Sequence, residues 1–182
     1  MVHGCGGVGL SAVQVAVAAG ARVVAVDVAP GALELARAMG AEHSVSPPDV
    51  PAAVADLTGG GAHVSLDCLG STGTCEDSIR SLRPRGRHVQ VGLLPPEQGR
   101  PVVPMELVVA RELAVLGSHG MAAHDYPAML SLIAAGRLDP GALVTRELSL
   151  DEAGDALVDV GRHPGVSVVT RFAPVRGAGR GG

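Results

Sequence analysis

The sequence predicts an α/β protein built on a doubly wound, mostly parallel sheet of six strands. Aliphatic, β-branched runs alternate with helical segments about every 20 residues as far as residue 135, as in a sheet covered by helices on both faces. Tyr126 and Phe172 are the only aromatic residues, so the core is aliphatic, which suits parallel strands buried on both sides. Gly4, Gly6 and Gly9 form a G-x-G-x-x-G pattern after the first aliphatic residues. These three observations predict a Rossmann-type sheet.

The first three strands are expected in the first quarter of the chain. Only residues 1–3 precede the glycine turn, which indicates a truncated first strand. Residues 8–19 are apolar nearly all round and predict a mostly buried helix that Gly20 caps. The β-branched residues 22–28 predict the second strand. A helix over 32–39, a weak strand over 41–45 and a short helix over 50–57 follow.

The second three strands are expected between residues 64 and 116. Strand four spans 64–69, and the helix over 74–82 ends before Pro84 because the residue preceding a proline avoids the helical conformation. The remaining elements are strand five at 87–91, a proline-rich loop at 93–104, strand six at 113–116 and a helix at 126–135.

Residues beyond about 140 have no obvious position in a six-stranded parallel sheet, because its six strands are already assigned. A strand is expected over 143–148, a capping-box pattern at 149–152 opens a helix to about residue 160, and a last strand covers 166–172. We therefore predict a nucleotide-binding domain over 1–140, a C-terminal strand–helix–strand segment over 141–172 that packs on a catalytic domain, and a disordered tail over 173–182.

Composition excludes several classes of function. The net charge is −4, all 14 basic residues are arginine and no basic stripe occurs, so we expect no nucleic-acid partner. No apolar run is long enough to cross a membrane. Cys5, Cys68 and Cys75 have neither metal-site spacing nor a disulfide pattern, and we expect a reducing, cytoplasmic location.

The glycine turn predicts a site for a dinucleotide. Gly4 permits the tight turn, Gly6 lets the backbone approach a pyrophosphate, and Gly9 lets the helix lie close to the strand. The helix that follows directs its first N–H groups, from Gly7 and Val8 onward, at the phosphates. A glycine-rich turn without a ligand is the alternative.

Asp27 ends the second strand and lies 18 residues after Gly9. At this place a carboxylate accepts hydrogen bonds from the adenosine ribose and repels a 2′-phosphate, which favours NAD(H) over NADP(H). The alternative is that Asp27 caps the helix that follows, and the two roles are compatible.

With Asp27 in place, the chain resembles the cofactor-binding half of the zinc-type, medium-chain alcohol dehydrogenases. The stretches that carry the resemblance are 2–10, 24–27, 36–41, 67–70, 86–93 and 111–118, in family order over nearly the whole chain. The resemblance implies hydride transfer between an alcohol or aldehyde and NAD(H). It also implies that Cys68 and Leu69 end strand four beside the adenine, that Val91, Gly92 and Leu93 lie beside the nicotinamide, and that Leu116 and Ser118 lie near its carboxamide.

The catalytic zinc of the family is held by an N-terminal domain whose ligands are not in this sequence, so we predict no catalytic residue and no metal ligand here. The expectation is a fragment that binds NAD(H) and turns over little small-molecule substrate alone. The resemblance further implies a homodimer through the sixth strand. Two alternatives remain: a non-catalytic nucleotide-binding or dimerisation module, and a methyltransferase, although the latter needs a reversed seventh strand for which no hairpin is seen after Leu116.

Other residues have weaker claims to a function. His119, after strand six, either approaches the nicotinamide or has no role, and His124 is poorly spaced to share a metal with it. Cys5 precedes a helix N-terminus that could lower its pKa, or is simply a small turn residue. Asp67 has the context of a structural or cofactor-side acid, and Glu76 and Asp77 are expected to stabilise the first turn of their helix.

Overall fold

Eight strands and seven α-helices follow one another in the computed structural model, which describes residues 1–172, the side chain of Gln98 excepted. The strands are β1 (Val2–His3), β2 (Val24–Val26), β3 (His43–Val45), β4 (Ala62–Asp67), β5 (Leu82–Gln90), β6 (Ala114–Gly117), β7 (Val144–Ser149) and β8 (Val166–Arg171). The helices are α1 (Gly7–Ala18), α2 (Pro30–Ala38), α3 (Val50–Thr58), α4 (Thr72–Arg80), α5 (Met105–Ala110), α6 (Tyr126–Ala134) and α7 (Ala153–Val158). Within this part of the chain, no helix is both long and apolar enough to cross a membrane.

Strands β1–β6 form one sheet in the order β3-β2-β1-β4-β5-β6, and every neighbouring pair is parallel. The predicted fold class is therefore confirmed. The chain order reverses between β1 and β4, which is where such sheets open a crevice at the carboxyl ends of their strands.

The short β1 is nonetheless paired on both sides. Val2 lies opposite Ala25 of β2 and Leu66 of β4, and His3 follows in the same register. The two sheet faces hold separate aliphatic cores. One core packs β1 and β2 against α1 and α2, and the other packs β2–β5 against α3 and α4. The glycine turn after His3 is therefore anchored at the middle of the sheet.

The C-terminal elements form a second, two-stranded parallel sheet of β7 and β8. Val166 packs against the α1 and α2 core, and Gly165 makes an isolated bridge to Gly6. The domain boundary at residue 140 stays a prediction, and the predicted tail at 173–182 lies outside the described residues.

Several local predictions were wrong. Helix α1 is not mostly buried: Gly9, Leu10 and Val13 are its buried residues, whereas Val8 and Val15 are more than half exposed. Helix α5 was not predicted: the sequence indicated a proline-rich loop over 93–104 and no element between it and the sixth strand.

The boundaries of β5 and α7 also differ from the prediction. Strand β5 begins at Leu82 and continues through Pro84, with a register irregularity against β4. The pattern at 149–152 forms half of a capping box, because the Glu152 carboxylate accepts from the Ser149 N–H and hydroxyl while the helix begins only at Ala153.

Candidate cofactor-binding cleft

The glycine turn joins β1 to α1 in a geometry that only glycine permits at two of its positions. Gly4 has a φ of +84°, in the left-handed region that glycine favours. A Cβ at Gly9 would overlap the carbonyl oxygen of Gly4, so α1 can lie against the strand only because Gly9 has no side chain.

Gly6 differs from its two partners. Its φ is −75°, it is exposed, and a Cβ added to it would have no atom within 4 Å. The free chain therefore does not need glycine at this position. The absent side chain leaves open space at the amino end of α1.

The amino end of α1 is available to an anion. No side chain caps it in the described part of the chain, and its first turn contains no acidic residue. The Leu10 N–H bonds to the Gly6 carbonyl at 2.8 Å and closes the first turn, so the N–H groups before it point out of the helix. These groups and the helix dipole favour a bound negative charge.

Asp27 ties this turn to the end of β2. One carboxylate oxygen accepts the Cys5 N–H at 2.7 Å, and the other accepts the Ala29 N–H at 2.8 Å. Helix α2 begins at Pro30 without a side-chain cap, so the alternative of Asp27 as the helix cap is wrong. Asp27 is half-buried and keeps further acceptor capacity beside the turn.

A cleft of ≈ 690 Å³ opens at the carboxyl edge of the sheet, beside the glycine turn. Seven residues singled out in the sequence line it, namely Val8, Cys68, Leu69, Val91, Gly92, Leu93 and Ser118. His119 lines it as well, whereas Leu116 lies on β6 outside the lining. A second cleft of ≈ 530 Å³ lies at the opposite, amino edge, away from the glycine turn.

Asp67 organises the wall of the cleft from below. It is fully buried, and one of its oxygens accepts the N–H groups of Leu69 and Gly70 at 3.0 Å each. The other accepts from the Thr74 hydroxyl at 3.1 Å and the Gln90 amide at 2.9 Å. With both oxygens occupied by these donors, Asp67 has a structural role at the edge of the site.

Burial favours the neutral thiol of Cys5 and of Cys68 over the reactive thiolate. Burial, reinforced by the nearby Asp27 carboxylate, raises the pKa of Cys5 to about 12. Burial and Asp67 raise the pKa of Cys68 to about 12 as well. The idea that the helix N-terminus activates Cys5 is wrong, because desolvation of the thiolate dominates.

The acids of α4 were also misjudged. The helix begins at Thr72, so its first turn holds no acid, and a capping box of Ser71 and Thr74 satisfies its amino end. Glu76 instead pairs with Arg80 one turn later at 2.7 Å.

Zinc does not fit the part of the chain that the structure describes. No group of three or more His, Cys, Asp or Glu side chains there could hold a metal ion. His124 points to Asp125 at 3.2 Å and is exposed, so it does not join His119 at the cleft.

Sequence reasoning singled out Asp67 but missed the other polar side chains beneath the cleft, namely Ser65, His88 and Gln90. Ser65 and Asp67 alternate along β4, and His88 and Gln90 alternate along β5. In the sheet they lie directly opposite, Ser65 beside His88 and Asp67 beside Gln90. The sequence did contain a signal for them. In each of two consecutive strands, two polar residues are separated by one residue and so lie on the same face of the sheet.

Known proteins resemble this chain in sequence and in fold. A family model described as zinc-binding dehydrogenase matches residues 7–135. D-xylulose reductase A of Aspergillus oryzae is 32% identical over 180 residues, 93% of this chain and 49% of that protein.

Two solved structures are similar over the same region. The 2R,3R-butanediol dehydrogenase of Bacillus subtilis has a TM-score of 0.79 and 32% identity over 87% of this chain and 47% of its own. A Sinorhizobium meliloti protein of the zinc-binding dehydrogenase type, solved bound to NADP, has a TM-score of 0.79 and 31% identity over 94% of this chain and 50% of its own.

The chain spans about half the length of the curated relatives it matches. The matched region contains α1, the sheet from β2 to β6 and the lining of the cleft. Because the family model covers most of its residues, the chain belongs to the zinc-binding dehydrogenase family.

Proposed function

We propose that this chain binds NAD(H) as the cofactor-binding part of a dehydrogenase that interconverts an alcohol and its carbonyl compound. The observation that carries the proposal is the open space at Gly6, which faces an uncapped helix N-terminus on the same sheet edge as Asp27 and the cleft. A pyrophosphate there would accept hydrogen bonds from backbone N–H groups between Gly6 and Val8.

The rest of the dinucleotide follows from that anchor. Asp27 would accept the adenosine ribose hydroxyls, and its charge would oppose a 2′-phosphate, which favours NAD(H). The cleft lined by Val91, Gly92 and Ser118 would take the nicotinamide half. Leu116, outside the lining, stays a proposed neighbour of the carboxamide.

When bound, NAD(H) accepts or supplies the hydride that separates the alcohol from its carbonyl product. The described residues would bind and orient the cofactor, and no cluster of three or more potential metal-ligand side chains among them could hold zinc. The names of the relatives point to a small alcohol or polyol as the substrate class. We expect this chain alone to bind NAD(H) weakly with little turnover.

The three free thiols support a cytoplasmic location.

Calorimetric titration with NADH tests the proposal on a pair of glycine variants. Gly6→Ala should lower the free energy of unfolding by no more than about 1 kcal/mol, because alanine is a poorer N-cap than glycine but its Cβ enters open space. The same methyl should weaken NADH binding at least about tenfold, equivalent to ~1.4 kcal/mol. Gly9→Ala should instead destabilise the fold by about 3 kcal/mol through overpacking against Gly4.

Gly73→Ala is the matched control, since Gly73 is also exposed, with nothing within 4 Å of an added Cβ. It should bind NADH like the parent chain. Equal affinity of Gly6→Ala and the parent chain, or no binding by the parent, would contradict the proposed site.

A non-catalytic dimerisation module is the second candidate. It is favoured by β6, which is the edge of the sheet and has all four of its residues exposed. An apolar edge strand is a template for pairing with another copy, and such a dimer is compatible with cofactor binding.

A further inference from the structure

Beneath the cleft, one face of the sheet carries a continuous row of polar side chains. Ser65 and His88 are fully buried, as is Asp67, and Gln90 is half-buried. Ser65 Oγ lies 3.1 Å from His88 Nδ1, His88 Nε2 lies 3.2 Å from Gln90 Oε1, and Gln90 Nε2 lies 2.9 Å from Asp67 Oδ2. Buried polar groups in such a row are costly unless each has a partner.

The partners fix the direction of every hydrogen bond in the row. Gln90 Nε2 faces two acceptors, Asp67 Oδ2 and the Gly92 carbonyl, so the amide nitrogen must donate to both. Gln90 Oε1 must then accept from His88 Nε2, which carries the ring proton. Burial lowers the pKa of His88 and keeps the ring neutral, so its Nδ1 accepts from the Ser65 hydroxyl.

The row ends on Gly92, in the wall of the cleft. The Gly92 N–H bonds to the Asp67 carbonyl at 2.8 Å, and the Gly92 carbonyl accepts from Gln90 at 2.9 Å. The N–H and the carbonyl of Gly92 are therefore both hydrogen-bonded to residues of the row.

The same carboxylate of Asp67 also holds the facing turn through Leu69 and Gly70. The two turns touch backbone to backbone, because a Cβ at Gly92 would overlap the Gly70 amide nitrogen. Any movement of Gly92 would therefore change the width of the cleft.

We propose that Gln90, oriented by His88, is a positioning residue that fixes the Gly92 peptide for the nicotinamide half of the cofactor. This inference rests on the proposed function, which assigns that half to the cleft. The adenosine and pyrophosphate half would be held by Asp27 and the glycine turn. Among the described residues these make no hydrogen bond to the side chains of the row, although Gly4 packs against Leu69. Loss of the Gln90 donors should therefore weaken the binding of the nicotinamide half and leave the binding of the adenosine and pyrophosphate half unchanged.

The test compares NADH with ADP-ribose, which lacks the nicotinamide, by calorimetric titration of Gln90→Met. Methionine has similar volume and no donor, so the Gly92 carbonyl loses its partner. NADH should bind about tenfold more weakly, while ADP-ribose should stay within about twofold. Amide hydrogen exchange without cofactor should rise at Val91–Leu93 and stay unchanged at the glycine turn.

Two further variants keep the result decisive. His88→Leu leaves the Gln90 amide but removes its orienting donor, and should show the same pattern more weakly. Gln14→Met is the matched control, because it removes an amide that donates to the Asp139 carbonyl far from the cleft.

Equal weakening of both ligands, or unchanged exchange at Val91–Leu93, would overturn the positioning role. A parent chain that binds neither ligand would contradict the proposed function instead. The exchange data would still decide whether Gln90 holds the turn.

Discussion

At Gly6 and Gly9 the same residue type serves opposite requirements. Gly9 is needed by the free protein, because a side chain would overlap Gly4, whereas Gly6 borders empty space. The G-x-G-x-x-G pattern alone does not distinguish these two positions. The surroundings of each Cα distinguish a packing glycine from one that is free to serve a ligand.

Asp27 combines a structural and a recognition role, and replacing its charge should separate them. Asp27→Asn keeps one acceptor oxygen for the two backbone N–H groups it now satisfies, so we expect about 1–2 kcal/mol of destabilisation. Without the carboxylate charge, the ratio of NADPH to NADH affinity should rise about tenfold, as measured by titration with each.

Glu34→Gln controls for the loss of one negative charge, because Glu34 is an exposed acid on α2. Its cofactor ratio should equal that of the parent chain. An unchanged ratio in Asp27→Asn would show that Asp27 only ties the turn and does not select the cofactor.

Two buried histidines, His3 on β1 and His88 on β5, should make the fold sensitive to acid. Burial lowers the pKa of His3 and of His88 below the ordinary value of 6.5. Below pH 6.5 the unfolded chain therefore binds more protons than the folded one. The buried amine of Met1 adds to this trend, because burial lowers its pKa from 8.0 to about 6. Stability should therefore fall as the pH drops below about 8, by at most ~1.4 kcal/mol per pH unit for each of these three groups.

Urea unfolding between about pH 5.5 and 8 measures this dependence. His88→Leu should reduce the slope below about pH 6.5 without abolishing it, because His3 and the Met1 amine still contribute. His124→Gln, at an exposed histidine, should leave the slope unaltered. A parent chain equally stable at both ends of the range would rule out the assigned burial effect.

The elements differ in how well the sequence predicted them. The aliphatic run of β2 and the glycine turn identified the sheet, because burial on both faces selects residues such as Val and Ala continuously. Helix α5 escaped prediction because its six residues follow a proline-rich stretch and are too few to show a helical period.

The site was predicted where it depends on backbone and missed where it depends on side-chain pairing. The residues that line the cleft lie at the carboxyl ends of strands, and the alternation of strands and helices along the sequence locates those ends. The row from Ser65 to Asp67 depends on the register between β4 and β5, and no single stretch of sequence encodes that register.

For the whole molecule, the main open surface of the sheet is β6, which we expect to pair with a second copy. Ala114–Gly117 bonds to β5 on one side, and the side chains of Val115 and Leu116 are 42% and 46% exposed. A two-fold axis beside β6 would pair two such strands antiparallel and join the two sheets into one. The contact would cover an apolar edge that otherwise favours uncontrolled aggregation.

Val115→Glu should shift the chain from dimer to monomer in sedimentation velocity, because it introduces two like charges across the axis. Val158→Glu provides the control, since Val158 is exposed on α7, away from β6. It should sediment like the parent chain. NADH affinity of the Val115→Glu monomer should match the dimer, because each copy has its own glycine turn and cleft. A dissociation constant of about 100 μM corresponds to an association free energy of ~5–6 kcal/mol. A parent chain that remains monomeric at this concentration would therefore exclude a dimer of that strength or stronger.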